Sequence, residues 1–209
     1  MSIKQSYTLE SFQANLDGFR YALSRVSEKL ESAQVAYAVV GALALSRYVL
    51  RPRMTADIDI AVSEDTSDVA RAAIAGLDFN VVRQSDHEIA CVDALTGVQV
   101  DWIFGGHPLM DQSVRSARRT SLMGCDVPVV RPEDLLMLYL LSDKPQHRCD
   151  ALSMLRSGAV EPSMLRARLS AGGQSDLIAR LVHLEIEAAS PEGSWSEAMR
   201  AKVAKRGRR

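Results

Sequence analysis

Three aspartates lie where extended segments of the chain would bring their carboxylates together. Asp57 and Asp59 are two residues apart in TADIDIAV, where isoleucine and valine alternate with them. One face of this predicted strand is therefore apolar and the other carries both carboxylates. Asp101 occupies the polar face of a later segment, VQVDWIF. A third carboxylate from a neighbouring strand would complete an oxygen-only site of the kind that suits Mg²⁺ or Mn²⁺.

Such a site would serve phosphate chemistry. Two cations about 3.5–4 Å apart activate an attacking hydroxyl and neutralise a triphosphate during an in-line displacement. Asp101 has the further option of acting as a base toward that hydroxyl, and the sequence does not decide between base and metal ligand. An Asp-x-Asp pair by itself also occurs in ordinary surface strands, so the prediction depends on the elements around it.

A glycine turn precedes the acidic pair. The run VAYAVVG, residues 35–41, is typical of a short strand that ends at Gly41, and the following ALALSRYVL predicts a helix. A strand that ends in glycine and enters a helix presents backbone N–H groups to a phosphate. Gly41 is therefore predicted to let a triphosphate approach the backbone.

The order of the predicted elements describes an α/β fold. Apolar residues three and four apart predict a long helix over residues 9–32, and a second helix is predicted after residue 63. Alternating segments predict strands at residues 79–83, 88–94 and 97–104. We expect a small mixed β-sheet flanked by helices, with a helical C-terminal region that closes the nucleotide cleft.

Three parts of the chain are predicted. They are a catalytic domain with an N-terminal helix at residues 1–131, a helical C-terminal region at residues 132–188, and a basic flexible tail at residues 189–209.

Composition excludes several classes of protein. The chain is 47% hydrophobic, and its 25 Lys and Arg against 26 Asp and Glu leave no global basic field for nucleic acid. Its three widely spaced cysteines argue against a disulfide framework and against structural zinc. No segment approaches the roughly 18 apolar residues of a membrane span. We expect a cytoplasmic protein that does not bind membranes.

Several of these segments together resemble the nucleotidyltransferase superfamily of the DNA polymerase beta type. The similarity is carried by Val39-Val40-Gly41-Ala42, by Arg53-x-Thr55-x-Asp57-Ile58-Asp59 and by Val100-Asp101. Within the superfamily, the chain is similar to minimal nucleotidyltransferases related to the AbiEii toxins of toxin–antitoxin and abortive-infection systems. Arg131-Pro132-Glu133-Asp134-Leu135-Leu136, Lys144-Pro145 and Asp150-Ala151 extend the similarity over roughly residues 35–170.

The resemblance implies the nucleotidyltransferase fold, an NTP substrate and Mg²⁺ or Mn²⁺ as cofactor. It implies that a nucleoside monophosphate passes to an acceptor hydroxyl, at the 3′ end of a tRNA or on a protein, and that an antitoxin protein is a partner. The catalytic and metal-binding residues would be Asp57, Asp59 and Asp101. The residues expected to bind the nucleotide are Gly41, Ala42, Arg53, Thr55 and Lys144.

Two departures from the family pattern leave alternatives open. Ala42 stands where the family has glycine or serine, so a hydroxyl contact to phosphate is absent, and Gln146-His147 stands where a Lys-Asp pair is expected. A non-catalytic binding module that keeps the fold is one alternative. A phosphotransferase that uses the same carboxylates is another, because the three acids do not distinguish nucleotidyl from phosphoryl transfer.

Several basic residues also have two interpretations. Arg51 and Arg53, on either side of Pro52, would clamp phosphates or lie solvated in a loop. The cluster Arg115, Arg118 and Arg119 would form a solvated helix face or a surface for RNA phosphates.

Overall fold

The computed structural model of the chain describes residues 9–190, with side chains from residue 16 onward. The chain divides into two compact units between Leu138 and Tyr139. The predicted basic tail lies almost entirely outside the described residues, and the predicted three-part division stays a prediction. Among the helices that the structure describes, none combines the length and the apolar character needed to cross a membrane.

Alternating strands and helices make up the first unit, with one short 3-10 turn at Glu64–Thr66. In chain order they are α1 (Leu9–Ser32), β1 (Tyr37–Val39), α2 (Gly41–Leu45), β2 (Asp57–Val62), α3 (Ser67–Ala75), β3 (Phe79–Gln84), β4 (Glu88–Asp93), β5 (Gln99–Phe104), α4 (Pro108–Arg115), β6 (Arg118–Leu122) and β7 (Cys125–Val129). The predicted α/β class, a mixed sheet flanked by helices, is confirmed.

One seven-stranded sheet has the order β3-β4-β5-β2-β1-β7-β6. Strand β2 runs parallel to β5 and antiparallel to β1, and β1 runs parallel to β7. The remaining neighbours are antiparallel. The two strands that carry the aspartates, β2 and β5, are therefore direct neighbours inside the sheet and are paired on both sides.

The two faces of β2 and β5 differ in burial, as the alternation in their sequences predicts. The face that is at least 97% buried carries Ile58, Ile60, Val62, Val100, Trp102 and Phe104. Full burial of a side chain of this size stabilises a fold by about 1.5–3 kcal/mol. A slip of one residue in register would turn these side chains to the half-exposed face and the carboxylates into the core. Burial of the apolar face thus fixes which way the aspartates point.

The segment between β5 and β7 differs from the sequence prediction. A solvated helix face was one interpretation of the arginines in this segment, and it is wrong for Arg118 and Arg119, which begin strand β6. Strands β6 and β7 form a hairpin in which Leu122 pairs with Cys125. Its two turn residues, Met123 and Gly124, both have positive φ, of 53° and 83°, as tight hairpin turns require.

The second unit is helical in its described part. Helix α5 (Pro132–Leu141) leads into it and is followed by α6 (Pro145–Ser157), α7 (Pro162–Ala171) and α8 (Ser175–Ala189). Gly158 ends α6 in the left-handed conformation, with φ of 69°, and donates its backbone N–H to Leu155 O. Helix α8 packs against both α6 and α7.

Candidate active site

The structure brings the three predicted aspartates together on the half-exposed face of the sheet. Asp59 and Asp101 are direct partners in the parallel pairing of β2 with β5, and Asp57 precedes Asp59 by two residues on the same face. One carboxylate oxygen from each aspartate lies within 4.8 Å of the other two. This spacing allows a single cation to contact all three residues.

Electrostatics at this cluster favour a bound cation. Burial raises the pKa of Asp101 above its ordinary value, and the nearby charges of Asp57 and Glu88 raise it further. A hydrogen bond from Gln99 and the charge of Arg83 oppose that rise in pKa. Carboxylates held this close repel one another, and a divalent cation would relieve the repulsion. The all-oxygen donor set is the type that hard cations such as Mg²⁺ and Mn²⁺ take.

Two uncharged side chains hold the carboxylates in place. Thr55 Oγ1 donates a hydrogen bond to Asp57 Oδ1, and Gln99 Nε2 donates one to Asp101 Oδ1 at 2.8 Å. Gln99 is also the partner of Asp57 across the β2–β5 pairing, so it lies beside two of the three aspartates. Gln99 was not predicted from the sequence. Its position two residues before Asp101, on the same face of the strand, was the available signal.

The turn at Gly41 lies directly against the site. Gly41 has a φ of +62°, and a Cβ atom at this position would lie 1.8 Å from Asp59 Oδ2. The backbone N–H of Val40 donates to the carbonyl oxygen of Asp59 at 3.0 Å. The Asp59 carboxylate therefore requires glycine at position 41, independently of any need to admit a phosphate group. Ala42, the next residue, is 1% exposed in the first turn of α2.

The other residues predicted to bind nucleotide in this unit precede β2 in the chain. Arg53 is half-buried, and its Nη1 donates to the carbonyl oxygen of Met54 at 3.4 Å. Arg51 is exposed. Thr55, as described above, contacts Asp57. Arg51, Arg53 and Thr55 lie within six residues of Asp57 along the chain. Their contacts with nucleotide stay predictions.

Lys144 belongs to the second unit, where it is the N-cap residue of α6. It lines a cavity of about 570 Å³ together with Arg148, Arg180 and His183. Arg180 pairs with Asp143 at 2.9 Å, and Arg148 pairs with Glu187. The role of Lys144 in binding nucleotide stays a prediction.

The basic cluster that the sequence singled out is neutralised by acidic partners. Arg115 pairs with Asp65 at 3.0 Å and with Asp111 at 2.7 Å. Arg119 pairs with Glu31 at 2.8 Å and with Asp126 at 2.9 Å. Two of the three arginines therefore pair with the fold's own carboxylates, and a surface for RNA phosphates stays a prediction.

No protein-family model matches the chain, and no curated protein matches it in sequence. The solved structures that are similar to it at a distance include the following three. The antibiotic-resistance factor ANT(2'')-Ia has 15% identity over 86% of this chain and 98% of its own, with a TM-score of 0.46. An antigenic nucleotidyltransferase-like protein from Paracoccidioides brasiliensis has 23% identity over 66% and 76%, with a TM-score of 0.45.

The third is the lincosamide antibiotic adenylyltransferase LnuA, determined with lincomycin bound. It has 15% identity over 66% of this chain and 94% of its own, with a TM-score of 0.44. Likenesses this distant do not carry an activity or a substrate over to this chain.

Proposed function

We propose that this chain is a divalent-metal-dependent nucleotidyltransferase that transfers a nucleoside monophosphate from an NTP to an acceptor hydroxyl, with pyrophosphate as the leaving group. The observation that carries the proposal is the convergence of Asp57, Asp59 and Asp101 within 4.8 Å on a half-exposed sheet face. The Gly41 turn against Asp59 supports it, because this combination of turn and acids is the pattern of the superfamily that the sequence resembles.

The three carboxylates have different neighbours and therefore different parts in the reaction. Asp57 and Asp59, on one strand, would hold the metal, with Asp57 oriented by Thr55. Asp101, on the adjacent strand, would be the ligand or the base nearest the attacking hydroxyl. Mg²⁺ or Mn²⁺, when bound, neutralises the triphosphate and lowers the pKa of the attacking hydroxyl.

Nucleotide binding is assigned to five residues on the basis of the sequence motif. Gly41 and Ala42 would meet the triphosphate with backbone N–H groups, and Arg53, Thr55 and Lys144 would contact it through side chains. The sequence motif around these positions supports this assignment. Lys144 is an exposed cation beside a cavity in the second unit, which also favours an anionic ligand there.

The acceptor and the biological setting follow from the sequence resemblance to AbiEii-related minimal nucleotidyltransferases. We propose that the acceptor is the 3′ end of a tRNA or a protein hydroxyl, that the reaction inhibits growth, and that an antitoxin protein counters it in the cytoplasm. Growth arrest on expression of the wild-type chain, absent on expression of Asp57→Ala, is the expected result.

Labelled nucleotides test the reaction and separate it from its alternatives. Purified protein is incubated with Mg²⁺, total cell lysate and each NTP, labelled in parallel at the α- or the γ-phosphate. The proposal predicts that α-label, and not γ-label, appears on a macromolecule, and that Asp57→Ala and Asp59→Ala abolish the transfer. Transfer of γ-label would identify a phosphotransferase instead. No transfer of either label would favour a binding module that keeps the fold.

A further inference from the structure

A β-bulge in the edge strand β3 changes which face Arg83 occupies. Val81 pairs with Cys91 and Arg83 pairs with Ala90, so Val82 is an extra residue without a partner in this pairing. Side chains alternate along a strand, so an uninterrupted β3 would place Arg83 on the same face as Val81. The bulge reverses this relation. Bulges of this kind re-aim side chains and are frequent beside active sites.

The bulge places Arg83 on the sheet face that carries the catalytic carboxylates. Arg83 pairs with Ala90, Ala90 pairs with Asp101, and Asp101 pairs with Asp59, so these four residues form one row across the sheet. Two strand spacings, roughly 10 Å, separate the Cα atoms of Arg83 and Asp101. The residue between them is Ala90, whose small side chain is buried.

The guanidinium group of Arg83 is held by an ion pair that is easily exchanged. It pairs with Glu88, and the two side chains are 61% and 35% exposed. Ion pairs at this exposure contribute about 0–1 kcal/mol, so another anion would replace Glu88 at little cost. Arginine binds phosphate in a two-pronged geometry that a carboxylate and a phosphate share. A phosphate group would therefore be able to replace Glu88 as the partner of this guanidinium group.

We propose that Arg83 binds a phosphate group of the acceptor, beside the acceptor hydroxyl that lies near Asp101 and attacks the α-phosphate of the NTP. This inference rests on the proposed function and narrows it, because it makes the acceptor a phosphodiester chain and not a protein side chain. The chain has a formal net charge of −1, so recognition of a polyanion has to come from local contacts such as this one. Glu88 pairs with the guanidinium group of Arg83 until the acceptor binds.

Binding of a short single-stranded RNA tests this proposal without any catalysis. Fluorescence anisotropy of a labelled oligonucleotide, in buffer with EDTA and without NTP, is measured at several KCl concentrations. Arg83→Gln should weaken binding about tenfold and reduce the slope of log K against log salt by about 0.7, the contribution of one phosphate contact on a single strand. Arg83→Lys should restore part of the affinity, and Glu88→Gln should tighten binding.

The matched control is Arg20→Gln, which removes another exposed arginine from an ion pair, with Asp17, in the same unit. Equal melting temperatures show that the variants fold. The proposal is overturned if the wild type does not bind the RNA, or if Arg83→Gln and Arg20→Gln behave alike. Transfer of α-label to proteins alone would leave the proposed reaction standing and contradict this inference. Arg83-dependent RNA binding in a chain without transferase activity would support the site and contradict only the reaction.

Discussion

At the residue scale, the positions of the carboxylates depend on uncharged neighbours. Thr55 and Gln99 each donate a hydrogen bond to one oxygen of an aspartate, which leaves the second oxygen for a ligand. Gly41 matters because it has no side chain: the Asp59 carboxylate fills the space where a Cβ would be. The geometry of the site is therefore sensitive to substitutions that change no charge.

Gly41→Ala should abolish metal binding and transferase activity. The added methyl group would lie 1.8 Å from Asp59 Oδ2, so the carboxylate or the turn has to move. Gly97→Ala is the matched control, because Gly97 also has a positive φ, of +72°, but its Cβ would have no atom within 4 Å. Both variants carry backbone strain and only one carries the collision. Activity retained by Gly41→Ala, at the level of Gly97→Ala, would refute this account of the turn.

Gln99→Met should lower the affinity for Mn²⁺ by about 10-fold, with little change in stability. The variant keeps the size of the side chain and removes the hydrogen bond that orients Asp101. Loss of a partner that orients a metal ligand typically costs 10- to 100-fold in affinity or activity. Calorimetric titration with Mn²⁺ measures this affinity. The control is Gln84→Met, on the exposed strand β3. Equal affinities for the two variants would show that Gln99 does not position Asp101.

At the element scale, a buried ion pair fixes the hairpin that carries Asp101. Asp93, at the end of β4, has a fully buried side chain and pairs with Arg25 of α1 at 2.6 Å. The same carboxylate accepts a hydrogen bond from Thr96 Oγ1 at 2.7 Å, inside the turn between β4 and β5. The turn is thereby tied to α1, and β5 begins in the register that aligns Asp101 with Asp59.

Arg25→Ala should therefore lower the free energy of unfolding by about 3 kcal/mol, because it leaves the buried Asp93 carboxylate without its ion-pair partner. Denaturant unfolding measures this change. Arg20→Ala, which breaks the exposed pair with Asp17, should cost less than about 1 kcal/mol. If the two variants were equally stable, the pair between Arg25 and Asp93 would not anchor the turn.

The same elements show how far the sequence alone reaches. Strict alternation of apolar residues with Asp57, Asp59 and Asp101 was enough to predict both strands and the shared face of the carboxylates. The bulge at Val82 was not predictable in this way, because the run FNVVRQ contains no glycine and its alternation is ambiguous. Strand β6 was missed because its arginines are equally typical of a solvated helix. Gln99 was missed because an amide has no charge to mark it.

At the scale of the whole molecule, charge is balanced locally as well as in total. The formal net charge is −1, and many arginines pair with carboxylates on the surface, as Arg115 and Arg119 do. Against this neutral background, three half-exposed carboxylates lie together at one place on the sheet. Attraction of a divalent cation is therefore expected at this cluster.

Calorimetric titration of the metal-free protein with Mn²⁺ tests for a metal site at the three aspartates, and it needs neither the acceptor nor the correct NTP. The wild type is compared with Asp57→Asn, Asp59→Asn and Asp101→Asn, which keep the size of each side chain. We predict saturable binding by the wild type and a loss of at least 10-fold in affinity in each variant. Absence of binding by the wild type, or undiminished binding by all three variants, would contradict a metal site at these aspartates.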